Sequence, residues 1–197
     1  GEPLRRVFSA ADTSFHGMGR EDIDVRCLGS GRPFVVEFKS PLKRIADHSE
    51  LVKLVNDEAE GRVEVLDLRA SKRPEVARIK QTAAEKSYTI RFSYESDMDA
   101  DEVEQQVLSL VGETLHQKTP NRVSHRRADK VRKRKVVSIT DVIVEPPEVQ
   151  LCVRVESGTY VKELIHSDEG RTTPSITERL GAPCEVLWLD VEEVHAD

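Results

Sequence analysis

A chain of 197 residues has room for one large domain or for two small lobes that share a core. Its 38% hydrophobic and 34% charged content predicts a soluble body with a heavily charged surface, and no apolar run approaches the roughly 18 residues of a membrane span. The N-terminus lacks the apolar stretch of a signal peptide, so an intracellular, cytoplasmic location is expected, and a start at Gly1 rather than Met reads as a processed or recombinant fragment.

Taken in chain order, strands and helices alternate without any repeat. Residues 33–39 (PFVVEFK) put Phe34, Val36 and Phe38 on one face at period two, as a half-buried strand requires. Ser49 is suited to cap a helix whose Leu51, Leu54 and Val55 share a face and which ends near Gly61. Residues 62–68 (RVEVLDL) read as a strand, with a short helix after Pro74. Residues 87–94 (SYTIRFSY) are rich in β-formers, with Tyr88, Ile90 and Phe92 on one side. Asp99 and Glu102 form a capping-box pattern ahead of an amphipathic stripe of Val103, Val107, Leu110 and Val111. A basic loop or hairpin arm follows over about 116–136 and runs into a strand over 136–144. Pro146 and Pro147 then mark a turn, 150–156 is a strand, 160–166 a short helix and 182–191 a closing strand. The pattern predicts an α+β fold with a mainly antiparallel sheet and flanking helices.

The net charge of −6 is unevenly spread. Between Lys118 and Lys135 lie nine basic residues and one acid, Asp129, so this stretch carries +8 and the remainder −14. Such a cluster fits a phosphate-binding surface, and it also fits a solvated charged loop. The cysteines Cys27, Cys152 and Cys184 are far apart and odd in number, which suggests neither a disulfide framework nor a zinc knuckle.

Three segments carry side chains suited to chemistry. In residues 15–31 (FHGMGREDIDVRCLGSG), Gly17, Gly19, Gly29 and Gly31 permit tight turns, while Arg20, Glu21, Asp22, Asp24 and Arg26 crowd acids against guanidiniums. A self-neutralising charged turn would look the same. In residues 155–170 (VESGTYVKELIHSDEG), Lys162 stands near the start of a helix, against the macrodipole, and a partner carboxylate would explain it. Tyr88 is either a core tyrosine or an aromatic platform on which an unpaired base stacks.

The stretches FHGMGREDIDVRCLGSGRPFVVE, QKTPNRVSHRRADKVRKRKV and ESGTYVKELIHSDEGRTTPSI resemble the pseudouridine synthase superfamily. They most resemble its archaeal and eukaryotic tRNA-modifying family informally called Pus ten. The resemblance spans residues 15–176, and GREDIDVR followed by GTYVKEL is its specific signal. It implies the pseudouridine synthase fold, a mixed and mainly antiparallel central sheet. Residues 1–197 would form one catalytic domain of two lobes around a central cleft. The N-terminal domain of the family, which carries a THUMP-type RNA-binding module and a cysteine-ligated zinc, has no match in this chain.

By the same resemblance Asp22 is the catalytic aspartate, Tyr88 the tyrosine of the second motif and Lys162 the basic residue of the third. Ile176 or Leu180 would wall the uracil from below, and Tyr160 would also bind the substrate. Arg20 would hold the flipped nucleotide, while Arg122, Arg126, Arg127, Lys130 and Arg132 would grip phosphates. The implied reaction is isomerisation of uridine in the TΨC arm of tRNA, at uridine 54 and/or 55. Breaking the N1–C1′ bond and rejoining through C5 involves no redox change, so no cofactor and no metal are implied. One ionised carboxylate suffices, and Lys162 beside Asp22 would keep it charged. The alternative is an RNA-binding module without catalysis that uses only the basic 118–135 stretch.

Overall fold

The computed structural model describes residues 1–196. In chain order the elements begin with α1 (Glu2–Val7), β1 (Asp12–Gly17), β2 (Arg26–Cys27), β3 (Phe34–Lys39), α2 (His48–Ala59), α3 (Arg73–Gln81) and β4 (Glu85–Tyr94). They continue with α4 (Ala100–Leu108), β5 (Thr114–Lys118), a 3-10 helix (Asn121–Arg126), β6 (Val131–Glu145) and β7 (Glu148–Val155). Last come α5 (Val161–His166), β8 (Thr172–Thr173), α6 (Ile176–Leu180) and β9 (Cys184–His195). The chain divides into two compact units, Gly1–Arg20 with Pro33–Thr82 and Glu21–Arg32 with Ala83–Asp197.

The first unit is built on an antiparallel pair, β1 with β3, in which Phe15 faces Val36 and Thr13 faces Phe38. Helices α1 and α3 pack on this pair, and α1 also meets α2. The helix expected to be capped by Ser49 is capped by Asp47 instead. The Asp47 carboxylate accepts from the backbone N–H groups of Ser49 and Glu50 at 2.8 and 3.2 Å. An ionised cap does this better than a hydroxyl. The strand expected over 62–68 does not form. The Asn56 side chain takes both backbone groups of Val65 instead, at 2.7 and 3.0 Å. Val63 and Leu66 remain exposed.

The second unit carries a seven-stranded sheet in the order β2-β9-β4-β7-β6-β5-β8. Every pairing is antiparallel except β2 with β9, so the sheet is mixed and mainly antiparallel, as expected. The core follows from register. Tyr88, Ile90 and Phe92 of β4 stand opposite Val153, Leu151 and Val149 of β7, and Tyr88 and Ile90 also stand opposite Val191 and Leu189 of β9. All of these side chains are buried. Since alternate residues share a face, one apolar layer runs across three strands.

Helices close that layer. The capping box forms as the sequence predicts: Asp99 accepts from the Glu102 backbone at 2.9 Å, and Glu102 accepts from the Asp99 backbone at 3.2 Å. Behind it Val103, Val107 and Leu110 are fully buried as α4 packs on β6 and α6. Val111, expected on the same stripe, is 44% exposed because the helix ends at Leu108 and the turn beyond leaves the helical period. The basic residues of 116–136 lie in a hairpin: β5 and β6 pair from Thr114 opposite Lys135 to Lys118 opposite Val131, with the 3-10 helix in the connection. No helix among the described residues is long and apolar enough to cross a membrane.

Phe92 is completely buried in the middle of this layer. Replacing it by alanine is expected to cost about 3–5 kcal/mol in urea unfolding. Val111→Ala, at the exposed end of the stripe, should cost about 0.5 kcal/mol or less. Equal effects would contradict the placement of the core.

Candidate active site

The segment Glu21–Arg32 belongs to the second unit and is fastened there at two points. At the first, the Glu21 carboxylate accepts from Lys86 Nζ at 2.8 Å and from the Tyr88 hydroxyl at 3.3 Å, and it is ion-paired with Arg32. Burial, with Arg32 nearby, pulls the Lys86 ammonium down to about 8, whereas Glu21 in direct contact favours its charged form. Burial pushes the Tyr88 hydroxyl up to about 12, so it remains a proton donor at neutral pH.

At the second point Arg26 meets Asp190 of β9, which is buried. The Asp190 carboxylate accepts from Arg26 Nε at 3.0 Å and from the Arg26 backbone at 3.2 Å, and its own pKa is held down by that side-chain bond. The backbone follows β9 as β2, and the Leu28 N–H donates to the Val191 carbonyl at 2.7 Å. Gly29 then passes so close to β9 that a Cβ would stand 2.0 Å from the Glu192 carbonyl oxygen. No other residue fits there.

Between the two anchors the chain makes a short turn, closed by the Val25 N–H donating to the Asp22 carbonyl at 3.2 Å. This turn presents Asp22 and Asp24. Asp22 Oδ2 accepts from Arg122 Nη1 at 2.5 Å, with Lys162 Nζ at 3.8 Å and Arg126 at 3.9 Å from the same carboxylate. Lys162 itself donates to Asp24 at 2.7 Å, a bond that lowers the Asp24 pKa. Lys162 therefore has the partner carboxylate its position calls for, but the nearer one is Asp24.

The cations come from two well-held elements. Arg122 and Arg126 stand on the 3-10 helix, whose first residue is tied down by Asp168: its carboxylate accepts from the Asn121 backbone at 2.9 Å. Lys162 stands on α5, whose entry is fixed by the buried Gln117 amide. That amide donates to the Tyr160 carbonyl and accepts from the Tyr160 N–H, both at 2.9 Å. Next to Lys162 the acid Glu163 is only 1% exposed and takes Arg122 Nε and Nη2 at 2.6 and 3.1 Å. Burial works against the Arg122 charge, but the bonds and charge of Glu163 and Asp22 outweigh it and raise its pKa.

The other residues singled out by sequence fall as follows. Arg127 and Lys130 are exposed. Arg132 donates to Thr119 at 2.8 Å and lies 5.8 Å over the half-buried Tyr160 ring. Arg20 is exposed in the first unit. Ile176 and Leu180 are both buried at 1–2% exposure on α6. Tyr88 is 5% exposed, so it offers no open ring face for a stacked base in this state. Arg122, expected to grip phosphate, has all three guanidinium nitrogens engaged by Glu163 and Asp22. Sequence reasoning missed Glu163, Glu21 and Asp190 as partners. Glu163 left one signal, an acid flanked by Val161, Leu164 and Ile165 on a short helix; the other two left none.

Residues 1–195 match the family model described as Pus10, C-terminal. The tRNA pseudouridine synthase Pus10 of Thermofilum pendens is 41% identical over 196 residues, covering 98% of this chain and 44% of that protein. The Pus10 of Pyrococcus furiosus is 44% identical over 185 residues, covering 93% and 47%. The chain thus spans about half the length of these relatives. Among solved structures, a chain of a Cbf5-Nop10-Gar1 complex aligns with a TM-score of 0.58 at 20% identity, covering 97% of this chain and 43% of that one. A chain of an H/ACA RNP bound to a substrate RNA containing 2'-deoxyuridine aligns at 0.54 and 18%, covering 98% and 41%. At such identities the likeness establishes the fold, which is the one the resemblance implied. By the match along nearly its whole length, this chain belongs to the Pus10 family and represents its C-terminal part.

Proposed function

We propose that this chain is the catalytic part of a tRNA pseudouridine synthase, an isomerase in which Asp22 is the reacting carboxylate. The observation that carries the reading is a single carboxylate with Arg122, Lys162 and Arg126 all within 4.0 Å, delivered by elements about 100 and 140 residues away in sequence. Isomerisation breaks the N1–C1′ bond of uridine, turns the base and rejoins it through C5. Asp22 either attacks C1′ or removes the C2′ proton to give a glycal; under both routes it must be ionised and held against the ribose. The cations around it supply that holding, and Asp24 keeps Lys162 from wandering.

The target uridine has to leave its stack to reach this carboxylate. Arg20, next in sequence to the Glu21 anchor, would hold the extruded nucleotide. Tyr88, bonded to the residue before Asp22, would back the base rather than serve as an open platform. Arg126, Arg127, Lys130 and Arg132 would grip phosphates and set the register of the RNA without reading bases. The substrate would be the TΨC arm of tRNA, at uridine 54 and/or 55, inside the cell. The remaining half of the full-length protein would add an N-terminal RNA-binding domain.

In the full-length protein, Asp22→Asn is expected to abolish pseudouridine in an unmodified tRNA transcript, mapped by carbodiimide-dependent reverse-transcription stops, with tRNA affinity changed less than about twofold. Wild-type turnover by that variant, or no pseudouridine from the wild type, would leave only an RNA-gripping protein. Replacing both Arg127 and Lys130 by alanine should weaken tRNA binding. It should also flatten the dependence of log Kd on log salt by about 0.7–0.9 for each phosphate no longer neutralised. An unchanged slope would remove these two residues from the RNA surface.

A further inference from the structure

Glu163 is a charged side chain, 1% exposed, on a helix whose other buried residues are apolar. A carboxylate in that position must be paired, and among the described residues its ion-pair partner is Arg122. Two parallel bonds, Nε to Oε1 at 2.6 Å and Nη2 to Oε2 at 3.1 Å, fix the plane of the guanidinium. With the fork taken, the remaining nitrogen, Nη1, is the one on Asp22 Oδ2, at 2.5 Å. Lys162, by contrast, stands 3.8 Å from Asp22 and 2.7 Å from Asp24. Arg122 is thus the nearest cation to the carboxylate, and its direction is dictated from inside the core.

We propose that Arg122 is part of the reaction centre rather than of the RNA-binding surface, and that buried Glu163 is a positioning residue that aims Arg122 at Asp22. The inference rests on Asp22 being the reacting group. Lysine cannot replace arginine here, because an ammonium lacks the fork that engages Glu163 while leaving a third nitrogen for Asp22.

The test uses the full-length protein and unmodified tRNA, with single-turnover rates at saturating enzyme and binding measured across a salt series. Arg122→Gln is expected to slow the saturated rate by on the order of 100-fold, as misplacing a reacting group by an ångström does. Its tRNA affinity and salt slope should match those of the wild type. Glu163→Gln should slow the same step, and the double variant should be no slower than Arg122→Gln alone, since one residue acts through the other. Arg122→Lys, which keeps the charge without disturbing the buried acid's surroundings as much, should stay slow. A full saturated rate for Arg122→Gln, with weaker binding and a salt slope flatter by about one, would make Arg122 a phosphate ligand and overturn the proposal. Additive losses in the double variant, or full rescue by Arg122→Lys, would overturn the aiming role of Glu163. Asp22→Asn run in parallel separates these failures from failure of the enzymatic reading, because only it removes turnover entirely.

Discussion

The turn that carries Asp22 is held in place by an ion pair on either side of it. Glu21 is gripped by Lys86, Tyr88 and Arg32, and Asp190 grips Arg26, so the turn between them has little freedom to swing. Such pairs are weak grounds for stability, since desolvating two charges offsets much of their attraction. Breaking the Glu21–Lys86 pair is another matter, costing about 3–5 kcal/mol because both groups are nearly buried and the surviving charge has little water to return to. Their value here is directional. A segment with little regular structure is tied down at both ends, while the acids it displays stay partly in solvent, where a substrate can meet them.

A related division of labour runs through the basic hairpin. Of the residues crowded between Lys118 and Lys135, some are committed inward: Arg122 to two carboxylates, and Arg134 to the connection between β7 and α5, where a Cβ on Gly158 would stand 3.4 Å from its guanidinium. Others, such as Arg127, Lys130, Lys133 and Lys135, are exposed. A count of positive charge cannot separate the two groups. Only the outward ones are available to a polyanion, so the electrostatic footprint is smaller than the local +8 suggests.

What could be read in advance was what local rules govern. Tyr88, Ile90 and Phe92 alternate because a pleat forces them to, and Asp99 with Glu102 caps α4 by bonds between residues three apart. The motifs GREDIDVR and GTYVKEL brought Asp22 and Lys162 into one account, and the two are indeed within ion-pairing distance. Long-range partners were not legible. Nothing near Arg122 in sequence announces Glu163 and Asp22, which lie 41 and 100 residues away. Nothing in residues 62–68 reveals that a helix asparagine takes the hydrogen bonds of Val65. Alternation there was genuine, but a strand exists only if another strand receives it.

The seven-stranded sheet finishes on both sides with strands of two residues, β2 and β8. Long open borders tend to recruit a further chain and seed aggregation, and brief terminal strands are one of the ways proteins discourage this. Beyond the rungs covered by β2, the twelve-residue β9 carries Glu185, Glu192 and Glu193, like charges that would repel their counterparts on a second copy laid alongside. The same parallel splice that carries Asp22 to its cations therefore also shields part of that border from self-association.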